Sequence, residues 1–159
     1  MNKLPVGKLL TAETSNYQLL ELARRAGLHI NNVCYADQLG HVPVPTSDIS
    51  NYIINLRDPP HWCAIHINKK KAYYFNSFAY MMPIPNQIIQ FLKRCKCVMY
   101  FDNDKPVQLP QEGYCGEYSL DFLIRMNRGG DPTDNYERFL GHLRSTIKEV
   151  NSYKIRHLE

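Results

Sequence analysis

Apolar and polar positions follow two different periods along this chain, and the switches between them mark its elements. Over residues 16–26, Leu19, Leu20, Ala23 and Ala26 recur at helical spacing. Ser15 stands where an N-cap belongs and Gly27 supplies a stop. Residues 40–50 (GHVPVPTSDIS) are turn formers and read as a loop. Residues 52–56 form a short strand that Asp58-Pro59-Pro60 breaks. Two runs rich in β-branched and aromatic residues, 61–67 and 72–78, flank the polar stretch Asn68-Lys69-Lys70-Lys71, the pattern of a hairpin. A helix is expected over residues 85–94, with Pro85 at its start and Lys93 and Arg94 at its end. Then come a strand over 97–101, a loop over 102–114 and a largely apolar helix from Cys115 to Met126, ending near Gly129-Gly130. A last helix opens around Asp134, where Asp134 and Glu137 fit a capping box, with Phe139, Leu140, Leu143 and Ile147 as its apolar stripe. This order predicts an α+β fold, a mainly antiparallel central sheet flanked by helices.

Composition narrows the picture. At 159 residues the chain is long enough for one domain with a substantial core, so residues 1–159 are read as a single domain. A hydrophobic share of 44% against 21% charged excludes general disorder. No apolar run approaches the roughly 18 residues of a membrane span. Leu9 and Leu10 are followed at once by Thr11, Ala12 and Glu13, so no signal-peptide core is expected and secretion by that route is not. The formal charge of +4 is a mild bias toward anionic partners. The five cysteines, Cys34, Cys63, Cys95, Cys97 and Cys115, are odd in number and suggest free thiols, one of them reactive. Cys95-Lys96-Cys97 leaves one residue between thiols where zinc sites use two to four, so no metal or organic cofactor is expected.

Three places carry candidate chemistry: His61-Trp62, Asn76, and the stretch from Gln108 to Gly116. A tight hairpin turn, whether a two-residue loop at Asn68-Lys69 or a four-residue loop at residues 67–70, places His61 directly opposite Asn76. Their Cβ atoms would then lie about 4.5–5.5 Å apart. The Asn76 amide could orient one imidazole nitrogen and leave the other for a thiol. Cys115 opens an apolar helix, where free N–H groups and the dipole favour a thiolate, and an imidazolium nearby would favour it further. Gly116 lets a substrate backbone come close. Backbone N–H groups there, with the Gln108 side chain, could bind a developing oxyanion. Trp62 packs beside the histidine. Cys34, Cys63 and Cys95 fit the role of small core residues.

The segments HWCAIHINKKKAYYFNSF and VQLPQEGYCGEYSLDFL together resemble the adenovirus-protease (adenain) group of cysteine proteases, whose relatives include the SUMO proteases. The polinton- and virophage-type members are the nearest in look. His61, Trp62, Asn76, Gln108, Cys115 and Gly116 fill that group's pattern in order, and Pro110 matches its adenain branch. Upstream, NYQLLELARRAGLHINNVCYADQL resembles the N-terminal helix and strand of the polinton-type members. Two departures stand out. The third member is Asn76 rather than Asp or Glu, and it lies two residues nearer the histidine than usual. Asp102 and Asp104 are acidic alternatives in the expected loop.

The resemblance implies an adenain-type fold and a cysteine endopeptidase, with Cys115 as nucleophile, His61 as base and acid, Asn76 as its orienter and Gln108 in the oxyanion hole. It implies cleavage beside small residues such as Gly, viral precursor or capsid proteins as substrates during virion maturation, and a location in the virion and infected cell, in cytoplasm or nucleus. The rival readings are an isopeptidase for ubiquitin-like modifiers, or a non-catalytic binding protein on the same fold. DNA or an activating peptide as partner also follows from the resemblance, and Cys97, eighteen residues before Cys115, matches a cysteine that links such a peptide. Lys69–Lys71, Lys93, Arg94 and Lys96, with Lys148, Lys154 and Arg156, are candidate basic surface. By charge alone they read as a solvated face.

Overall fold

Ser15 opens the first helix, α1 (Asn16–Arg25), with a reciprocal capping box: its hydroxyl accepts the Gln18 N–H while the Gln18 side chain accepts its own. Gly27, at φ +73°, takes the left-handed turn that ends it. The computed structural model describes residues 15–57, 60–108, 113–143 and 151–159. The break expected at Asp58-Pro59, the stripe position Ile147, and also Pro110 and Lys148 lie outside the described residues.

After α1 come β1 (Asn32–Tyr35), a 3₁₀ segment (Ala36–His41), β2 (Ile49–Asn55), β3 (Trp62–Asn68) and β4 (Lys71–Phe75). A short 3₁₀ turn (Ala79–Met81) leads to α2 (Asn86–Arg94), β5 (Met99–Asn103), α3 (Cys115–Met126), α4 (Pro132–His142) and β6 (Tyr153–His157). The described strands make one six-stranded sheet in chain order, β1 to β6. The sheet is mixed, which corrects the expectation of a mainly antiparallel one. β1/β2 and β4/β5 pair in parallel, and the other three pairs are antiparallel. The reason is in the connections. The chain travels back along the sheet through the 3₁₀ segment in one case and α2 in the other, so the next strand runs the same way.

Alternation along β3 and β4 sorts the core into two layers. Trp62, Ala64, Tyr73 and Phe75 face the side packed by α1, α3 and α4. Cys63, Ile65, Ile67, Ala72 and Tyr74 face the side packed by α2 and the first 3₁₀ segment. Both faces are covered, which is why β2 and β3 are buried along nearly their whole length, Ser50, Asn51 and His66 included. Phe75, Phe122 and Phe139 pack together, with Phe75 edge-on to Phe139 at 5.0 Å. Truncating fully buried Phe122 to Ala should cost about 3–5 kcal/mol. That cluster, with the Ser119 hydroxyl donating to the Trp62 carbonyl at 3.2 Å, fixes the first turns of α3 against the start of β3.

Three local expectations are corrected. The β3–β4 turn is Lys69-Lys70, with both residues at positive φ, and pairs Asn68 with Lys71 and Ala64 with Phe75. This is shifted by two from the register that would set His61 opposite Asn76. The α4 helix starts at Pro132 with Asp131 as N-cap, so Asp134 lies in the first turn and is not the cap. Asp102 lies within β5, opposite Lys154 of β6, and not in a loop. β6 went unread because YKIRH is an exposed edge strand with little apolar pattern.

Candidate functional site

His61 and Asn76 meet although the register differs from the expected one. A shift of two residues preserves the face. His61 lies just before β3 and Asn76 just after β4, so both leave the ladder and turn toward each other. The His61 Nε2 stands 2.6 Å from Asn76 Oδ1. The Phe78 N–H donates to the same Oδ1 at 2.8 Å, and a backbone N–H can bond only an acceptor. The facing atom is therefore the amide oxygen, and the ring carries its proton on Nε2. Nδ1 is left as the basic nitrogen. Phe78 also stacks on the imidazole, nearly parallel, with centroids 4.1 Å apart.

The Asn76 amide is fully engaged. Its Nδ2 donates to the Met82 carbonyl at 3.3 Å and to the Tyr74 hydroxyl at 3.4 Å. A carboxylate could not make the Met82 bond, which gives a physical reason for an amide here. Its backbone is gripped by Asn103. Asn103 Oδ1 accepts the Asn76 N–H at 3.0 Å, and Nδ2 donates to the Asn76 carbonyl at 2.8 Å.

The loops beside the pair are held in strained conformations. Arg57 (φ +68°) precedes His61 and Ala79 (φ +47°) follows Asn76. Non-glycine residues persist there only when their surroundings over-determine them. For Arg57 those are the Asp37 carboxylate at 2.9 Å and the Tyr35 ring at 3.7 Å. Asn55 Oδ1 accepts the N–H groups of both Arg57 and His61.

Cys115 is the first residue of α3. Its Sγ accepts the Trp62 N–H at 3.4 Å, so the sulfur touches the residue next to His61. His61 and Cys115 are each 1% exposed. Burial moves both toward neutrality. It lowers the imidazole to about 4, against a smaller opposing pull from Asn76. It raises the thiol, against the N–H groups of Trp62, Gly116 and Cys115 itself, which favour the thiolate. Burial thus opposes, and the N–H groups at the start of α3 favour, the thiolate expected for Cys115, with burial the larger influence. The Cys115 sulfur and the His61 ring thus share a buried corner of the fold, joined through Trp62.

Trp62 and Gly116 are buried at this end of the sheet. Gln108 is buried as well, and its neighbour Val107 donates its N–H to Ser77, next to Asn76. Asp102 and Asp104 are turned elsewhere. Asp102, raised by burial to about 6, faces Arg156 and Lys154, and Asp104 accepts from Ser152. All five cysteines are free. Cys97 is buried with its thiol pushed up to about 12, a poor candidate for linking a peptide. Arg94, though exposed, donates to the carbonyls of Leu39 and Val42 and so also braces the fold. Among the described residues no group of three or more His, Cys, Asp or Glu is placed to hold a metal, and no helix is long and apolar enough to cross a membrane.

The reading from sequence missed Asn103, Asn55, Phe78 and Met82. The only signal was the density of Asn at strand ends, since a backbone-gripping amide leaves no spacing motif. No protein-family model, curated protein or solved structure matches the chain.

Proposed function

We propose that this chain is a cysteine endopeptidase of the adenain-like kind. The observation that carries the reading is the combination of a cysteine at the first position of a buried helix with a histidine whose tautomer an amide fixes from the far side. Cys115 attacks the scissile carbonyl carbon, and its proton passes to Nδ1 of His61. The C–N bond breaks as His61 returns that proton to the leaving amine. Water, deprotonated by His61, then cleaves the thioester and regenerates the thiol. The N–H groups of Cys115 and Gly116, with the Gln108 amide, stabilise the oxyanion. The near-complete burial of the thiol supports cleavage beside small residues such as Gly, because a bulky neighbour could not bring the carbonyl within reach. Viral precursor or capsid proteins are the substrate class that the resemblance suggests.

The test is incubation with a Gly-containing peptide library and with ubiquitin-like fusions, read by mass spectrometry. Cleavage of library peptides is expected, and none with Cys115→Ala. Gln108→Ala should lower kcat by about 10²-fold with little change in KM. Hydrolysis that survives Cys115→Ala, or cleavage confined to the fusions, overturns the reading.

A further inference from the structure

We propose that Asn103 is a positioning residue for the His61–Asn76 pair, a side-chain clamp that replaces the sheet ladder at the point where Asn76 must leave it. This rests on the protease reading for its kinetic consequence but not for its geometry.

The parallel pairing of β4 with β5 ends at Tyr74 and Asp102. Beyond it, continued pairing would keep Asn76 in the sheet and its side chain on the pleat. Instead the chain turns. The Asn76 carbonyl accepts the Ala79 N–H at 2.9 Å, and Asn76 Oδ1 accepts the Phe78 N–H. A strand that departs a buried sheet strands its peptide groups, and an unpaired buried N–H or C=O is costly. Asn103 solves this with the one side-chain group that copies a peptide, having an acceptor and a donor side by side. Its two hydrogen bonds take the Asn76 N–H and C=O as a backbone neighbour would. A side-chain amide does not demand strand geometry of its partner, so Asn76 is free to point Oδ1 at His61.

Asn103 itself is anchored. It ends β5 opposite Tyr153 of β6, and the next residue, Asp104, donates its N–H to the Ser152 carbonyl at 3.0 Å and accepts from the Ser152 N–H and hydroxyl. Asn103 is 2% exposed, so water does not substitute for it. The path from β6 to the imidazole is therefore Ser152–Asp104, Asn103, Asn76, His61. Without Asn103, Asn76 keeps its side-chain bonds and the Ala79 N–H but loses the tie of its backbone to β5, and Oδ1 drifts from Nε2. The ring is then free to change tautomer, which puts the proton on Nδ1 and removes the base.

Two variants, the isosteric Asn103→Asp and the truncated Asn103→Ala, separate hydrogen bonding from bulk. In Asn103→Asp an acceptor oxygen faces the Asn76 carbonyl and no donor remains. In Asn103→Ala both bonds go. Each should lower kcat by about 10- to 100-fold with KM within about 2-fold, since a misplacement of this kind acts on chemistry more than on binding. The activity of Asn103→Asp relative to wild type should recover as pH falls, because a protonated carboxyl regains the donor. A readout independent of turnover is the ¹⁵N spectrum of labelled histidine. Wild type should show His61 as the Nε2–H tautomer, and Asn103→Ala a mixture of tautomers. Wild-type kcat in folded Asn103→Ala, or an unchanged His61 tautomer, overturns the proposal. If both variants fail to fold, the unsubstituted protein decides: a through-hydrogen-bond coupling from Asn103 Nδ2 to the Asn76 carbonyl is required, and its absence sinks the clamp. An inactive wild type that still shows the tautomer change would overturn the protease reading and leave the clamp standing.

Discussion

Two buried histidines, His61 just before β3 and His66 within it, are each bonded to an asparagine fifteen residues away, and they sit in different chemical settings. His61 presents Nε2 to Asn76 and stands beside the residue that touches the Cys115 sulfur. His66 presents Nδ1 to Asn51 Oδ1 at 2.8 Å, and Asn51 exchanges amide bonds with Asn127 and donates to the His29 carbonyl. Burial lowers both rings to about 4. A His–Asn pair with a depressed pKa is thus no signature of catalysis. What separates them is the neighbour. His61 has a stacked Phe78 and, next in the chain, Trp62 on the Cys115 sulfur, whereas His66 has a closed amide network, and its Nε2 has no hydrogen-bond partner among the described residues.

The largest expected difference between the two is in turnover. His61→Gln should lower kcat/KM by about 10³-fold or more, the scale for losing a member of a nucleophile–base unit. His66→Gln should stay within about 3-fold of wild type, since it touches no reacting group. Steady-state assays on a cleaved library peptide decide this. Equal losses from both variants would mean that the structural histidine has been misread.

Acid stability is the next effect, and here the two should behave alike. Each ring has a folded pKa of about 4 against an ordinary value of 6.5. Between those values the unfolded chain binds more protons, so stability is fully present above about pH 6.5 and falls as pH drops toward 4. Each ring contributes up to about 3 kcal/mol to that fall. Urea unfolding at pH 7 and pH 5 should show wild type losing stability, and either Gln variant losing about half as much from its own pH 7 value. A pH-independent midpoint in wild type would contradict the burial of both rings.

The same contrast shows how far sequence alone reached. The bounds of α3, the Ser15 cap and the sorting of His61 with Asn76 were legible because each rests on local rules: helical period, capping chemistry and the parity of a hairpin. Parity survived a register error that the two lysines at the turn made natural, since positive φ at Lys69 and Lys70 carries no glycine signal. The parallel pairings were not legible, because they depend on where long connections return the chain. The burial that pushes the Cys115 thiol up and the His61 imidazole down was hidden for a similar reason. The dipole of α3 can be inferred from its start, but the desolvation that outweighs it comes from side chains distant in sequence. Asn103 went unread because its role exists only through a partner 27 residues away, on a strand paired in parallel.

The smallest and sharpest test exchanges amide for carboxylate in each pair. In Asn76→Asp the new charge lies beside Nε2 and should raise the His61 pKa above about 4, moving the acid limb of the pH–rate profile upward. Against this stands the Met82 carbonyl, which loses its donor and faces a carboxylate oxygen, while the Tyr74 hydroxyl can turn and donate instead. The imidazole contact is 2.6 Å and the Met82 contact 3.3 Å. The charge on the ring should therefore prevail, leaving kcat/KM within about 10-fold of wild type at a stability cost of about 1–3 kcal/mol. Asn51→Asp should raise the His66 pKa in the same direction and leave the pH–rate profile unmoved. Histidine chemical shifts followed against pH, beside the two activity profiles, read both effects at once. If Asn51→Asp shifts the profile and Asn76→Asp does not, the base of the reaction is not His61.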